Sequence, residues 1–389
     1  MLIAAVAAAV TSCSNGQDEL KQLIDTTFDR AAEQSLLLAH DAIPKGDLLP
    51  RTFEDGELKT ADYRSWISGF FPGTLWELCE HFPDNAELRK YAETYTGRVA
   101  PAQWLTDTHD LGFMIFCSAG NAYKVTGEEK YKTIVENAAH SLATRFNEKT
   151  GVIMSWNPRG NWKYPVIIDN MMNLEMLMWA GQEEKNDSLI NIAVSHAETT
   201  MRNHFRDDYS SYHVVSYNPE SGDAEYKQTF QGYADDSAWA RGQAWGLYGF
   251  TMMYRLTGKD EFLNHAKHIA AFIAGHPNLP EDGIPYWDFN APDIPDAKRD
   301  ASAAAVMASG FLELSKYDNG ANAKRWKELA IKQIRTLASP EYLAEPGSNG
   351  GFILKHSVGN MNKNSEVDVP LTYADYYFLE ALLRLEKML

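Results

Sequence analysis

Two stretches of this chain place a carboxylate where acid–base chemistry is feasible. His109-Asp110-Leu111-Gly112-Phe113-Met114 follows Trp104 and the polar run Thr106-Asp107-Thr108. Ile167-Ile168-Asp169-Asn170-Met171-Met172-Asn173-Leu174 follows Trp162-Lys163-Tyr164-Pro165. Each sets an Asp between an aromatic-bearing loop and an apolar segment, a setting suited to a proton donor or acceptor. A third stretch, Phe230 to Trp245, carries Gln231, Trp239, Arg241 and Trp245, with Arg241 and Trp245 four residues apart on one helical face. An Arg beside aromatic rings suits recognition of a carboxylate on a flat ring. The alternative is a structural ion pair with a neighbouring Asp.

Helices must position these groups. From Asp18 onward helical periodicity dominates and strand alternation is almost absent. Leu20, Leu23, Ile24, Phe28 and Ala31 form an apolar stripe, and charged amphipathic helices recur at about 84–98, 127–147, 183–205, 258–275 and 320–338. Between them lie helices apolar nearly all round, beginning near Trp66, Asp110, Asp169, Asp236, Asp300 and Asp375. Asp110, Asp236 and Asp300 each precede a glycine (Gly120, Gly246, Gly310) by ten residues. A helix polar on one face belongs to an outer layer, and one apolar all round must be buried.

Six of each in alternation predict an all-α fold, an inner ring inside an outer ring: an (α/α)6 barrel spanning residues 18–389 as one domain. A solenoid would need polar end caps, and the last helix, Tyr376 to Leu385, is not polar outside. Parallel inner helices would gather their N-termini at one mouth. An Asp at each start is then the expected N-cap, and spacing alone does not separate caps from chemistry.

The 389 residues are 44% hydrophobic, which excludes disorder, and 53 acidic against 36 basic residues give a net charge of −17. That balance excludes a nucleic-acid-binding surface, which needs Lys and Arg against phosphate. Ten Trp, nineteen Tyr and seventeen Phe suggest dense packing or flat surfaces for a ligand. No metal or cofactor is expected. His-Glu-x-x-His and calcium-loop spacings are absent, and Gly347-Ser348-Asn349-Gly350-Gly351 lacks the Lys of a nucleotide loop.

Leu2 to Val10 is an apolar run too short to span a bilayer and reads as the core of an export signal. Val10-Thr11-Ser12-Cys13 resembles a bacterial lipoprotein box, so Cys13 is the expected lipidation site and residues 1–17 a leader and short linker. The expected location is periplasmic or membrane-anchored through lipid, in a Gram-negative bacterium. Cys79 and Cys117, inside apolar stretches, read as buried free thiols.

Five motifs in series resemble glycoside hydrolase family 88, the unsaturated glucuronyl hydrolases. They are Trp66-Ile67-Ser68-Gly69-Phe70-Phe71-Pro72-Gly73, His109 to Phe113, Ile168 to Asn173, Gln231 to Trp245 and Asp375 to Leu382, in the family's order. The resemblance implies an (α/α)6 barrel acting on oligosaccharides left by polysaccharide lyases, which end in a 4,5-unsaturated uronic acid. It makes Asp169 the general acid/base and Asp110 the second essential carboxylate, with Trp66, His109, His213, Gln231, Trp239, Arg241 and Trp245 around the sugar.

The implied reaction hydrates a vinyl ether. Asp169 protonates C4 and, as carboxylate, helps water reach C5; the hemiketal then opens and expels the leaving sugar. A helix N-terminus lowers a carboxyl pKa, whereas a general acid near neutrality needs a raised one. Desolvation by Trp rings and repulsion from Asp110 must therefore win. An anionic substrate must also enter an acidic protein, so Arg241 and a few local bases have to outweigh the global field. The segment from His356 to Lys363 lies where related enzymes meet the next sugar; His356, Ser357 and Lys363 are candidates to hold a sulfate, the alternative being a solvated loop. Two other functions remain open: an unsaturated rhamnogalacturonyl hydrolase acting on pectin fragments, and a catalytically silent glycan-binding lipoprotein.

Overall fold

A computed structural model describes the backbone from Leu2 to Leu389 and side chains from Gly16 onward, so Cys13 lies outside the described residues. The helices are α1 (Leu2–Ala42), α2 (Phe70–His81), α3 (Ala86–Val99), α4 (Asn121–Thr126), α5 (Glu129–Ala143), α6 (Leu174–Glu184), α7 (Asp187–Asn203), α8 (Ala240–Thr257), α9 (Asp260–Gly275), α10 (Ala301–Leu314), α11 (Gly320–Leu337) and α12 (Thr372–Glu386). Odd-numbered helices form the outer layer and even-numbered ones the inner. The contrast between α11 and α10 shows why. α11 buries only Trp326, Ala330, Gln333, Ile334 and Leu337, one stripe at helical spacing, whereas every residue of α10 is buried.

Neighbouring inner helices touch in sequence, α6 on α8, α8 on α10 and α10 on α12, and α12 packs back on α2. The ring closes, which disposes of the solenoid. Among the described residues no helix is long and apolar enough to cross a membrane.

The sequence pattern leaves out the strands: β1 (Leu49–Glu54), β2 (Glu57–Ala61), β3 (Phe146–Asn147), β4 (Val152–Ile153), β5 (Pro165–Ile167), β6 (Val214–Tyr217), β7 (Ala224–Gln228), β8 (Ser357–Asn360) and β9 (Ser365–Val369). They pair antiparallel as β1-β2, β3-β4, β5-β6-β7 and β8-β9. At two to six residues they are too short to show a period. All lie in connections that lead into inner helices, and so they rim the mouth where inner N-termini converge.

The N-cap expectation holds at one of its five Asp positions. Asp300 caps α10, accepting from the Ser302 N–H. Asp236 is exposed and α8 starts only at Ala240, while Asp375 lies inside α12 and accepts from Ile353 and Leu354 N–H instead. At Asp110 and Asp169 the inner helices begin irregularly. Gly112–Gly120 is a π-helical stretch running into α4, and Ile168–Asn173 is a 3-10 turn running into α6; neither has a side-chain cap. Such irregular turns often mark functional sites.

Gly112 lets these two starts touch. A Cβ there would lie 2.6 Å from Asn173 Cα, and Asn173 Oδ1 accepts from Phe113 N–H at 3.0 Å. Gly112→Ala is therefore expected to cost about 1–3 kcal/mol in denaturant unfolding and to lower kcat, because the carboxylate-bearing turns must part.

Candidate active site

At the mouth lies a cavity of about 300 Å³ whose walls include Trp66, His109, Asp110, Trp156, Arg159, Asp169, Phe230, Gln231, Lys363 and Tyr373. Both carboxylates reach it. Asp169 is held by the 3-10 turn after β5, where Ile168 N–H donates to His213 O at 3.1 Å and so sets the Asp beside that histidine. It is 6% exposed, and its Oδ2 has no hydrogen-bond partner among the described residues. Burial pushes the carboxyl up to about 7, while the charge of Arg241 pulls it back in part and Asp110 adds a smaller upward push. Desolvation thus outweighs the helix N-terminus.

His213 Nδ1 accepts from both Phe230 and Gln231 N–H at 3.0 Å, which leaves the ring proton on Nε2, 3.6 Å from Asp169 Oδ2. Burial holds this imidazole well below its ordinary pKa, so it is neutral. It presents an N–H to the carboxyl without adding a charge.

Asp110 is oriented by Thr108, whose hydroxyl donates to Oδ2 at 2.9 Å while accepting from Asp110 N–H at 3.1 Å. His109 Nε2 lies 3.1 Å from the other oxygen. Because Asp110 is a lesser influence on Asp169 than burial, Asp110→Asn is expected to shift the alkaline limb of the pH–rate profile by less than about one unit. A shift of about two units or more would make repulsion the main cause.

Two carboxyl groups at one polar mouth, one of them held protonated near neutrality, are the equipment of an acid–base hydrolase. Residues 50–377 match the model of Glycosyl Hydrolase Family 88. The chain belongs to that family. It is 44% identical over 328 residues to an unsaturated glucuronyl hydrolase of Formosa agariphila, covering 84% of this chain and 81% of that protein. A Bacillus species has an unsaturated glucuronyl hydrolase that is 35% identical over 353 residues, covering 88% and 92%. The solved structure of an unsaturated glucuronyl hydrolase specific for heparin superposes with a TM-score of 0.91 at 49% identity, covering 94% of this chain and 98% of the other.

Within this family 88 barrel, several expected sugar contacts sit elsewhere. Arg241 is 1% exposed and does not wall the cavity. Its Nη1 bonds to Asp300 Oδ2 at 3.0 Å and Val358 O at 2.5 Å, and its Nη2 to Gly359 O at 2.7 Å. Arg241 thus makes the structural ion pair that the sequence also allowed. Gln231 walls the cavity but also donates to Gly359 O at 3.0 Å, so both residues pin β8 against the site. Trp239 and Trp245 are buried behind the wall: Trp239 packs 4.6 Å from the His213 ring, and Trp245 packs 5.3 Å from the Phe113 ring. His109 is fully buried yet still contributes to the cavity wall, directly behind Asp110. Ser357 is also fully buried, with its hydroxyl outside the cavity wall, and His356 pairs with Asp368 at 2.6 Å. Trp66 and Lys363 do face the cavity.

Sequence reasoning passed over Trp156, Arg159, Phe230 and Tyr373, which complete the walls. The available signal was Trp156-Asn157-Pro158-Arg159-Gly160-Asn161-Trp162, a cation between two indoles across a Pro/Gly turn.

A larger cavity, about 570 Å³, lies toward the opposite ends of the inner helices. Its arginines are occupied by carboxylates, Arg255 with Glu175 and Glu313 and Arg384 with Glu313 and Glu380. Size does not locate the chemistry here, since both Asp110 and Asp169 open on the smaller cavity. Asp25, His81 and Glu386 also come within 4.8 Å of one another, away from the catalytic mouth.

Proposed function

We propose that this family 88 hydrolase removes the non-reducing-end 4,5-unsaturated uronic acid from lyase-generated glycosaminoglycan oligosaccharides by hydrating its vinyl ether. The observation that carries this reading is Asp169, protonated near neutrality yet open to a cavity it shares with Asp110. Its carboxyl oxygen gives a proton to C4, and the positive charge that develops is shared between C5 and the ring oxygen. The resulting carboxylate takes a proton from water as the water oxygen bonds to C5. The hemiketal at C5 opens, the former ring oxygen becomes a hydroxyl on C1, and C1 then releases the leaving sugar. Stereochemical arguments from carboxylate separation do not apply, because no displacement occurs at C1.

The similarity to relatives named for glucuronyl substrates and heparin supports the substrate class. A silent binding protein is disfavoured because neither Asp110 nor Asp169 is consumed as a helix cap. The test is the ultraviolet band of the unsaturated uronide in lyase-treated chondroitin, heparan and pectin. Decay with a glycosaminoglycan is expected; decay with pectin alone would move the enzyme to the rhamnogalacturonyl class, and no decay with any would overturn the hydrolytic reading.

Lys363 at the rim is available to an acidic substituent on the leaving sugar. The export leader and lipidated Cys13 form part of this proposal on sequence grounds alone, with the periplasmic face of a membrane as the implied location. Retention of a Cys13→Ser protein in the membrane fraction would refute the anchor.

A further inference from the structure

Arg159 stands at the mouth of the active-site cavity with aromatic rings where its counter-ions would usually be. Its guanidinium carbon lies 4.2 Å from the ring centroid of Trp156, 4.4 Å from that of Phe230 and 5.0 Å from that of Trp162. The cradle is built in. Arg159 and Trp162 exchange backbone hydrogen bonds of 3.0 Å in both directions across the turn at Gly160, whose φ is 55°. Trp162 Nε1 donates to Gln228 Oε1 at the end of β7 at 2.8 Å, and Trp156 meets the His213 ring edge-on at 6.1 Å. His213 is the residue beside Asp169, so a single ring separates the cradle from the acid.

The electrostatics are unusual for so acidic a chain. Arg159 is exposed at the cavity rim, the desolvation it does undergo lowers its pKa, and no acidic group among the described residues acts against that effect. Two other arginines near the site are neutralised, Arg51 by Glu366 at 2.6 Å and Arg241 by Asp300 at 3.0 Å. Lys363 Nζ lies 5.5 Å from the same Phe230 ring, which gathers two cations about one aromatic side chain. Aromatic rings engage the faces of a guanidinium and leave its in-plane N–H donors available, the geometry that binds carboxylate or sulfate in bidentate fashion.

We propose that Arg159 and its aromatic cradle form an anion subsite for the part of the oligosaccharide beyond the unsaturated uronide. The anion is either a sulfo group on the leaving sugar or the carboxylate of the next uronic acid. Only the naming of those sugars rests on the hydrolytic reading above; the subsite itself rests on the cradle.

Binding is therefore measured by calorimetry in the full chain carrying Asp169→Asn, which is not required to turn over. Three probes are used: an unsulfated unsaturated disaccharide, its sulfated counterpart, and an unsulfated unsaturated tetrasaccharide. Adding Arg159→Gln is expected to weaken at least one anionic probe about tenfold relative to the unsulfated disaccharide. Arg159→Lys, which keeps the charge without the planar fork, should recover part of that loss. A loss confined to the sulfated disaccharide identifies a sulfo group, and one confined to the tetrasaccharide identifies a carboxylate. If Arg159→Gln leaves both affinity ratios within about twofold of the parent, the subsite is refuted, whatever the outcome of the ultraviolet assay.

Discussion

Asp169→Asn is expected to reduce kcat about a thousandfold, roughly 4 kcal/mol of transition-state stabilisation, with a much smaller change in KM. The amide keeps the shape of the carboxyl but has no proton to give C4. Because Asp169 must be protonated to act, activity in the parent should fall as pH rises through about 7, and the residual activity of the variant should lack that limb. Stability of the parent should fall over the same range. The Asp169 pKa is raised on folding, so its favourable contribution is complete below the ordinary carboxyl range and is lost as pH rises through about 7. Asp169→Asn removes that loss, so its melting temperature relative to the parent should be higher at pH 8 than at pH 5. Equal differences at the two pH values would show that burial does not control this carboxyl.

Arg241→Met is the second large effect, and it separates a structural role from a substrate contact. The side chain is 1% exposed and its partner Asp300 is fully buried. Removing the cation strands the Asp300 carboxylate in the interior, and breaking a buried pair in this way typically costs about 3–5 kcal/mol. The β8 strand loses its anchor at Val358 O at the same time, and Gly359 O keeps only the bond from Gln231. Chemical denaturation should therefore report a loss of that size. Arg241→Met with parental stability and a raised KM would instead restore Arg241 as a substrate ligand.

The inner and outer rings were legible because burial imposes a helical period over ten or more residues, as in α10 and α11. Helix starts were legible only approximately. Trp66 and Asp236 each stand four residues before their helices, since the intervening residues belong to turns that the apolar pattern does not distinguish. Strands β3 and β4, with two residues each, carry no period at all. Both carboxylates singled out in the sequence line the cavity, whereas Arg241, Trp239 and Trp245 do not. Arg241 and Arg159 each stand among aromatic residues in the sequence, yet one is neutralised by Asp300, far along the chain, and the other by no acidic group among the described residues. That difference depends on tertiary contacts. On the proposal made above, admitting an anion into a chain of net charge −17 falls to Arg159 and Lys363.

The central claim is that the enzyme hydrates a carbon–carbon double bond instead of displacing at the anomeric carbon. The most direct measurement compares release of the leaving sugar from an unsaturated uronyl disaccharide and from the same disaccharide with a saturated uronic acid. Hydration requires C4=C5, so the account predicts turnover of the first and a rate at least about a thousandfold lower for the second. Comparable release from both would contradict it.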